Sequence, residues 1–229
     1  MAVTSLPAHL LLLADSRLPA GGHAHSGGLE PAVAAGAVRD VDGLADFLRG
    51  RLATSGLVSA ALAAAACAHA GATEPSSWEW VRLDAEADAR TPSPAQRRAS
   101  RAQGRSLLRA ARRTWPHPAL DALAVLREPH HPLVQGAAAS AAGGTPEQAA
   151  AISAYGAVTG PASAGVRLLG LDPLSVHRVL ADLAPDIDAV AAEAAAGTGD
   201  WAALPAPSAP ALDLYAELHL GADLRLFES

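Results

Sequence analysis

No stretch of this chain alternates apolar and polar residues at period two, whereas apolar residues recur at helical spacing along most of its length. A strand with one face on a core needs that alternation, and a fully buried strand favours β-branched or aromatic residues. Here half the residues are apolar, but alanine dominates, and the aromatics are four Trp, two Tyr and two Phe. Alanine has the highest helix propensity because its side chain has no rotamer freedom to lose. The pattern predicts an all-α fold. Residues 1–229 are expected to form a single-domain helical bundle of roughly eight to ten helices. A Gly-rich N-terminal loop, a linker-like segment at 199–210, and a C-terminal helix and tail at 211–229 complete the reading.

The charge pattern excludes several functions. A net charge of −6 argues against holding nucleic acid or an anionic membrane. Every one of the 17 cations is arginine, so Schiff-base chemistry and a P-loop lysine are excluded. Cys67 is the lone cysteine and cannot form an internal disulfide or a Cys-rich metal site. The run Leu10–Leu13 before Leu18-Pro19-Ala20 mimics a secretion signal, but no basic segment precedes it. The Ala-rich run from Leu57 to Ala68 is too short to span a bilayer. A soluble, cytoplasmic protein is expected.

Along the chain, Asp40 or Asp42 is placed to cap a helix through Leu44, Phe47, Leu48, Arg51 and Leu52, and Leu57–Ala70 reads as a separate buried helix. The most polar helix runs from Gln96 to Trp115. Its Arg97, Arg101, Arg105 and Arg109 step by four, opposite a seam of Gly104, Leu108, Ala111 and Trp115. The expected partners of the arginines are Glu79, Asp84, Glu86 and Asp88 of the preceding helix, in mostly solvated, weak pairs. His130-His131 reads as a solvated turn, and Cys67 and His69 as core and helix-end residues. Gly156, Gly160 and Ala164 form a small-residue face that predicts a close helix crossing, within the fold or across a dimer. Pro161 should bend that helix.

The stretch that departs from ordinary helix is Leu10–Glu30, LLLLADSRLPAGGHAHSGGLE. Proline and four glycines sit between two helices, with His23, His25 and Ser26 in the loop. Ala24-His25-Ser26-Gly27-Gly28 lies one residue from a nucleophile elbow, but a helix rather than a strand precedes it, and adjacent His and Ser cannot readily hydrogen-bond. A metal reading uses His23 and His25, with Asp15 or Glu30. Two imidazoles on a loop fall short of the three or four ligands a stable site wants, leaving a transient contact completed by a partner chain open.

The motif ADSxLPxGGxxxSxGLE resembles the N-terminal signature of the UreF family of urease accessory proteins, usually D-S/P-x-L-P-x-G-x-aromatic-x-x-S-x-G-L-E. The last residues, from His219 to Ser229, are similar to that family's usual ending, H-E-T-x-x-x-R-L-F-x-S. Arg101–Leu108 matches its R-x-x-G-R-x-L-L, and Val166–Gly170 lies where A-V-K-L-V-P-L-G is usual, with Arg167 replacing the lysine. Carried over position by position, the resemblance marks Asp15, Leu18, Pro19, Gly21, Ser26, Gly28, Leu29 and Glu30 at the front. At the back it marks His219, Arg225, Leu226, Phe227 and Ser229. His23 and His25 stand where an aromatic is usual, and Glu228 stands where a basic residue is often found.

What the resemblance implies is an all-helical, typically dimeric protein that is not an enzyme. It would bridge the accessory protein UreD (also called UreH) and the GTPase UreG so that nickel reaches apo-urease, with an influence on GTP hydrolysis. Nickel would pass through the assembly, and no cofactor would stay bound to this chain. Two other classes remain open: an independent helical nickel metallochaperone using His23/His25, and a small helical enzyme with a closed pocket. A scaffold instead predicts that the two end motifs meet in space, with the tail either folded back or mobile when alone.

Overall fold

The computed structural model describes residues 7–20, 22–72, 76–221 and 226–227, and the side chain of His23 lies outside that description. Among the described residues the fold is helical throughout, with no strand. A helix that is apolar on every side has no face to offer water and is stable only inside a protein. That helix is α4 (Leu57–Ala70), from which Leu57, Val58, Cys67, His69 and an unbroken run from Ala60 to Ala66 are buried. Around it lie α8 (His131–Ala141), α9 (Pro146–Leu169) and α11 (Ala184–Ala195). Small residues set the spacing. A Cβ on Gly136 of α8 would lie 2.1 Å from the Ala63 carbonyl oxygen, so the two backbones touch where only glycine fits.

The expected separate helix at Leu57 is instead continuous with α3 (Val41–Arg51) through a five-residue π turn, Leu52–Gly56. Nothing breaks the chain there, because Gly56 stays in the right-handed helical region. Asp40 rather than Asp42 is the cap, accepting from the Gly43 N–H at 2.8 Å. The combined helix, Val41–Ala70, is long and apolar enough to cross a membrane, but 72% of its apolar window is buried inside the protein. It is a core helix.

The remaining helices enclose this core. They are α1 (Ala8–Ala14), α2 (Leu29–Ala34), α5 (Ser77–Ala89), α6 (Pro94–Thr114), α7 (Pro118–Leu123), α10 (Pro173–Asp182) and α12 (Pro210–Leu220). The expected buried seam of α6 is present. Gly104 lies so close to the α7–α8 connection that a Cβ would stand 1.9 Å from the Pro129 carbonyl. Of the small-residue face expected at Gly156, Gly160 and Ala164, Ala164 is buried, but among the described residues no close crossing occurs at Gly156 or Gly160, where a Cβ would meet nothing within 4 Å.

Two further expectations are corrected. The segment at 199–210 is not a free tether. Arg90 donates to the Trp201, Ala202 and Leu204 carbonyls, and Leu204 is buried. The arginines of α6 pair only partly with the preceding helix. Arg101 holds Asp84 and Asp88, but Arg105 pairs with Glu128 and Arg112 with Asp121, both beyond α6. Glu79 and Glu86 face His69 and Arg90 instead.

Candidate functional site

The two end motifs meet. Glu30, in the first turn of α2, turns its carboxylate to the returning tail, where Oε1 accepts from the Leu226 N–H at 2.8 Å and Oε2 from the Phe227 N–H at 2.9 Å. Its side chain is 13% exposed, so both bonds are charge-assisted and partly shielded from water. His219, buried at the end of α12, lies 3.1 Å from the Phe227 carbonyl and 3.4 Å from Glu30 Oε2 through Nε2. The Phe227 ring is 5% exposed, and the Arg167 guanidinium lies 4.3 Å from its centroid. Backbone, ring and imidazole therefore fix the tail at three points. The neighbouring Leu226 points outward and is 78% exposed.

The front loop that carries Glu30 has its own fastenings. Ser26, fully buried, accepts from the Glu30 N–H through Oγ at 3.3 Å, so its hydroxyl fastens the start of α2. Gly27 and Gly28 both adopt positive φ, +60° and +88°. That conformation strains any residue with a side chain. At Gly28 a Cβ would also press to 3.3 Å from Leu212 of α12. Arg51, which sequence reasoning did not single out, reaches between segments. Its Nη1 donates to the Gly27 carbonyl at 2.7 Å and its Nε to the Ala157 carbonyl of α9 at 3.0 Å.

Other marked residues fall elsewhere. Asp15 is engaged locally, accepting from the backbone and guanidinium of Arg17, whose hydrogen bonds pull its carboxyl down to about 2. Leu18 packs on the core edge, Pro19 is exposed, and Leu29 is fully buried beneath α2. Gly21, Arg225, Ser229 and the His23 side chain lie outside the described residues, as does Glu228. His25 is half-buried in a groove that Arg51 and His131 also line.

A second polar cluster overturns the solvated-turn reading of His130-His131. His130 is 1% exposed, with Nδ1 3.0 Å from Ser100 Oγ and Nε2 2.9 Å from Asp88 Oδ1. Proline-bounded turns usually face water, but this one is drawn under α6 by the Gly104 contact. Burial lowers the His130 pKa despite the bond to Asp88. Burial also pushes Asp88 up, but the hydrogen bond from His130 and the charge of Arg101 outweigh it and hold the carboxyl low. Asp84, Asp88 and His130 could share a metal ion, being the one such group among the described residues. The Arg101 guanidinium already occupies the cation's place, 2.9 and 2.8 Å from the two carboxylates. Ser100, His130 and Asp88 also form a hydroxyl–imidazole–carboxylate series. But Ser100 lies inside α6, where helix hydrogen bonds occupy the backbone N–H groups an oxyanion would need. The cluster is an ion and hydrogen-bond network, buried at His130 and Asp84 and open to water at Asp88.

Fold and junction together define a helical protein that presents a surface built from both ends of its chain. The UreF family model matches residues 38–184, inside both end motifs. The chain is 47% identical to the urease accessory protein UreF of Mycolicibacterium vanbaalenii, over 97% of this chain and 98% of that one. It is 44% identical to the urease accessory protein UreF of Mycobacterium tuberculosis strain H37Rv, over 95% of each. The chain belongs to the UreF family of urease accessory proteins, a family of accessory proteins and not of enzymes.

Proposed function

We propose that this chain is a cytoplasmic scaffold of urease maturation. In this reading it forms a homodimer, bridges a UreD/UreH-like accessory protein and a UreG-like GTPase, and modulates GTP hydrolysis. Nickel bound for apo-urease is cargo of the assembly and is handled transiently. The observation that carries the reading is the junction of the two end motifs beside an exposed apolar ridge. Leu214 and Leu218, one helical turn apart on α12, are 64% and 72% exposed, and Leu226 on the docked tail is exposed as well. Several large aliphatic side chains left in water at one end of a protein mark an interaction surface. Glu30, His219 and Arg167 hold that surface in shape from below and expend no apolar area of their own.

Leu218→Glu and Leu226→Glu test the assignment, because both change side chains that are exposed in the isolated chain. Each is expected to abolish co-purification with the UreD/UreH-like partner, and urease activation with it, while leaving the thermal melt of the isolated chain within about 2 °C of the parent. Retained assembly by the double variant would place the partner elsewhere.

A further inference from the structure

We infer that Arg51 is the positioning residue for Glu30: it fastens the Gly27–Glu30 turn to a gap in the hydrogen-bond ladder of α9. Pro161 creates that gap. It has no N–H, so the carbonyl four residues earlier, Ala157, has no helical donor. Arg51 Nε fills it at 3.0 Å while Nη1 of the same guanidinium holds the Gly27 carbonyl at 2.7 Å. The three parts touch directly, since a Cβ on Gly27 would lie 2.9 Å from both Arg51 Cζ and Pro161 Cγ.

The helix that presents Arg51 is irregular at the same place. Arg51 immediately precedes the π turn Leu52–Gly56, and a Cβ on Gly56 would lie 3.4 Å from the Ala157 Cβ. Single π turns within helices are rare and concentrate at functional positions. Two ladder defects on two helices thus face one another, with one guanidinium between them and the front loop resting against it. Both acceptors are neutral carbonyls, and burial lowers the Arg51 pKa to about 10. A part-buried cation held, among the described residues, by carbonyls and no carboxylate is a poor way to gain stability. A planar fork that reaches two carbonyls on separate segments is a good way to fix one against the other. Three residues after Gly27, Glu30 accepts the tail N–H groups. Loss of the Gly27 anchor therefore moves the acceptor on which the tail depends.

The consequence for assembly rests on the scaffold reading above, but the positioning itself is measurable on the isolated full-length chain. Amide hydrogen exchange at Leu226 and Phe227, together with the thermal melt, is compared for the parent, Arg51→Lys, Arg51→Met and Arg51→Met/Pro161→Ala. Arg51→Met should lower protection of both amides at least about tenfold, and Arg51→Lys by less. Pro161→Ala supplies the missing N–H to Ala157, so the double variant should recover much of the melt but not the tail protection. The double variant also keeps the test decisive if Arg51→Met fails to fold. Parental tail protection in a folded Arg51→Met or in the double variant overturns the inference. A melt that Pro161→Ala fails to raise overturns the ladder-gap account. Co-purification with the UreD/UreH-like protein separates the two readings. Lost protection with retained assembly leaves the positioning standing and sinks the scaffold surface, whereas lost assembly with intact protection overturns the positioning.

Discussion

Phe227→Ala tests whether the tail is docked in the isolated protein. The ring is 5% exposed in the same cluster as the core, and Arg167 covers one side. Burying a phenylalanine removes roughly 150–250 Å² from water, worth about 4–6 kcal/mol at about 25 cal/mol per Å². Ordering the terminal residues opposes this at about 1–2 kcal/mol each. The cost of truncation cannot exceed the free energy with which the tail is held, because a released tail has no more to lose. An expected loss of about 2–3 kcal/mol follows, below the usual range for a phenylalanine cavity in a closed core. In a domain of this size each kcal/mol moves the melting temperature by about 2–4 °C, so a drop of about 4–12 °C is expected by calorimetry or circular dichroism. Removing residues 224–229 should cost a similar amount, since it removes the same ring. A melt within about 1 °C of the parent for either variant would refute the docking argument and leave the tail free until a partner binds it.

Gly104→Ala should destabilise by several kcal/mol, because its Cβ would overlap the Pro129 carbonyl, a backbone atom that cannot turn aside. Gly160→Leu has open space around it among the described residues, so the protomer fold should tolerate it, while sedimentation should show loss of the homodimer; an unchanged dimer would exclude that face as the interface. Stability should fall as the pH is lowered from about 6.5 to about 4. Burial, reinforced by the charge of His25, lowers His131 to about 4, and burial also lowers His130. In that window the unfolded chain binds protons that the folded chain excludes, so stability rises with pH there and levels off above the unfolded value. Urea titrations at several pH values check this, and His131→Gln should flatten the slope; an unchanged slope would remove His131 as its source.

The helical class was legible from the sequence alone, because Ala-rich apolar periodicity without period-two alternation admits little else. So was a helix start at Asp40 or Asp42, because the capping bond that Asp40 accepts from the Gly43 N–H is local. The Leu10–Glu30 stretch stood out for the same reason, since glycine and proline act on their own backbone whatever surrounds them. Residues that lie 196 and 197 positions apart are another matter. That Glu30 would receive the N–H groups of Leu226 and Phe227, and Arg167 their ring, depends on how α2, α9 and α12 are stacked. His130 looked solvated because its neighbours are prolines, and was buried by a glycine on another helix. Gly156 and Gly160 looked like a crossing and face open space, while Gly104 and Gly136 make the close contacts. Arg51 read only as one position on the inward stripe of its helix. Its role comes from a carbonyl freed by Pro161, 110 residues away, and only the tertiary structure brings that acceptor, the π turn and the front loop around one guanidinium.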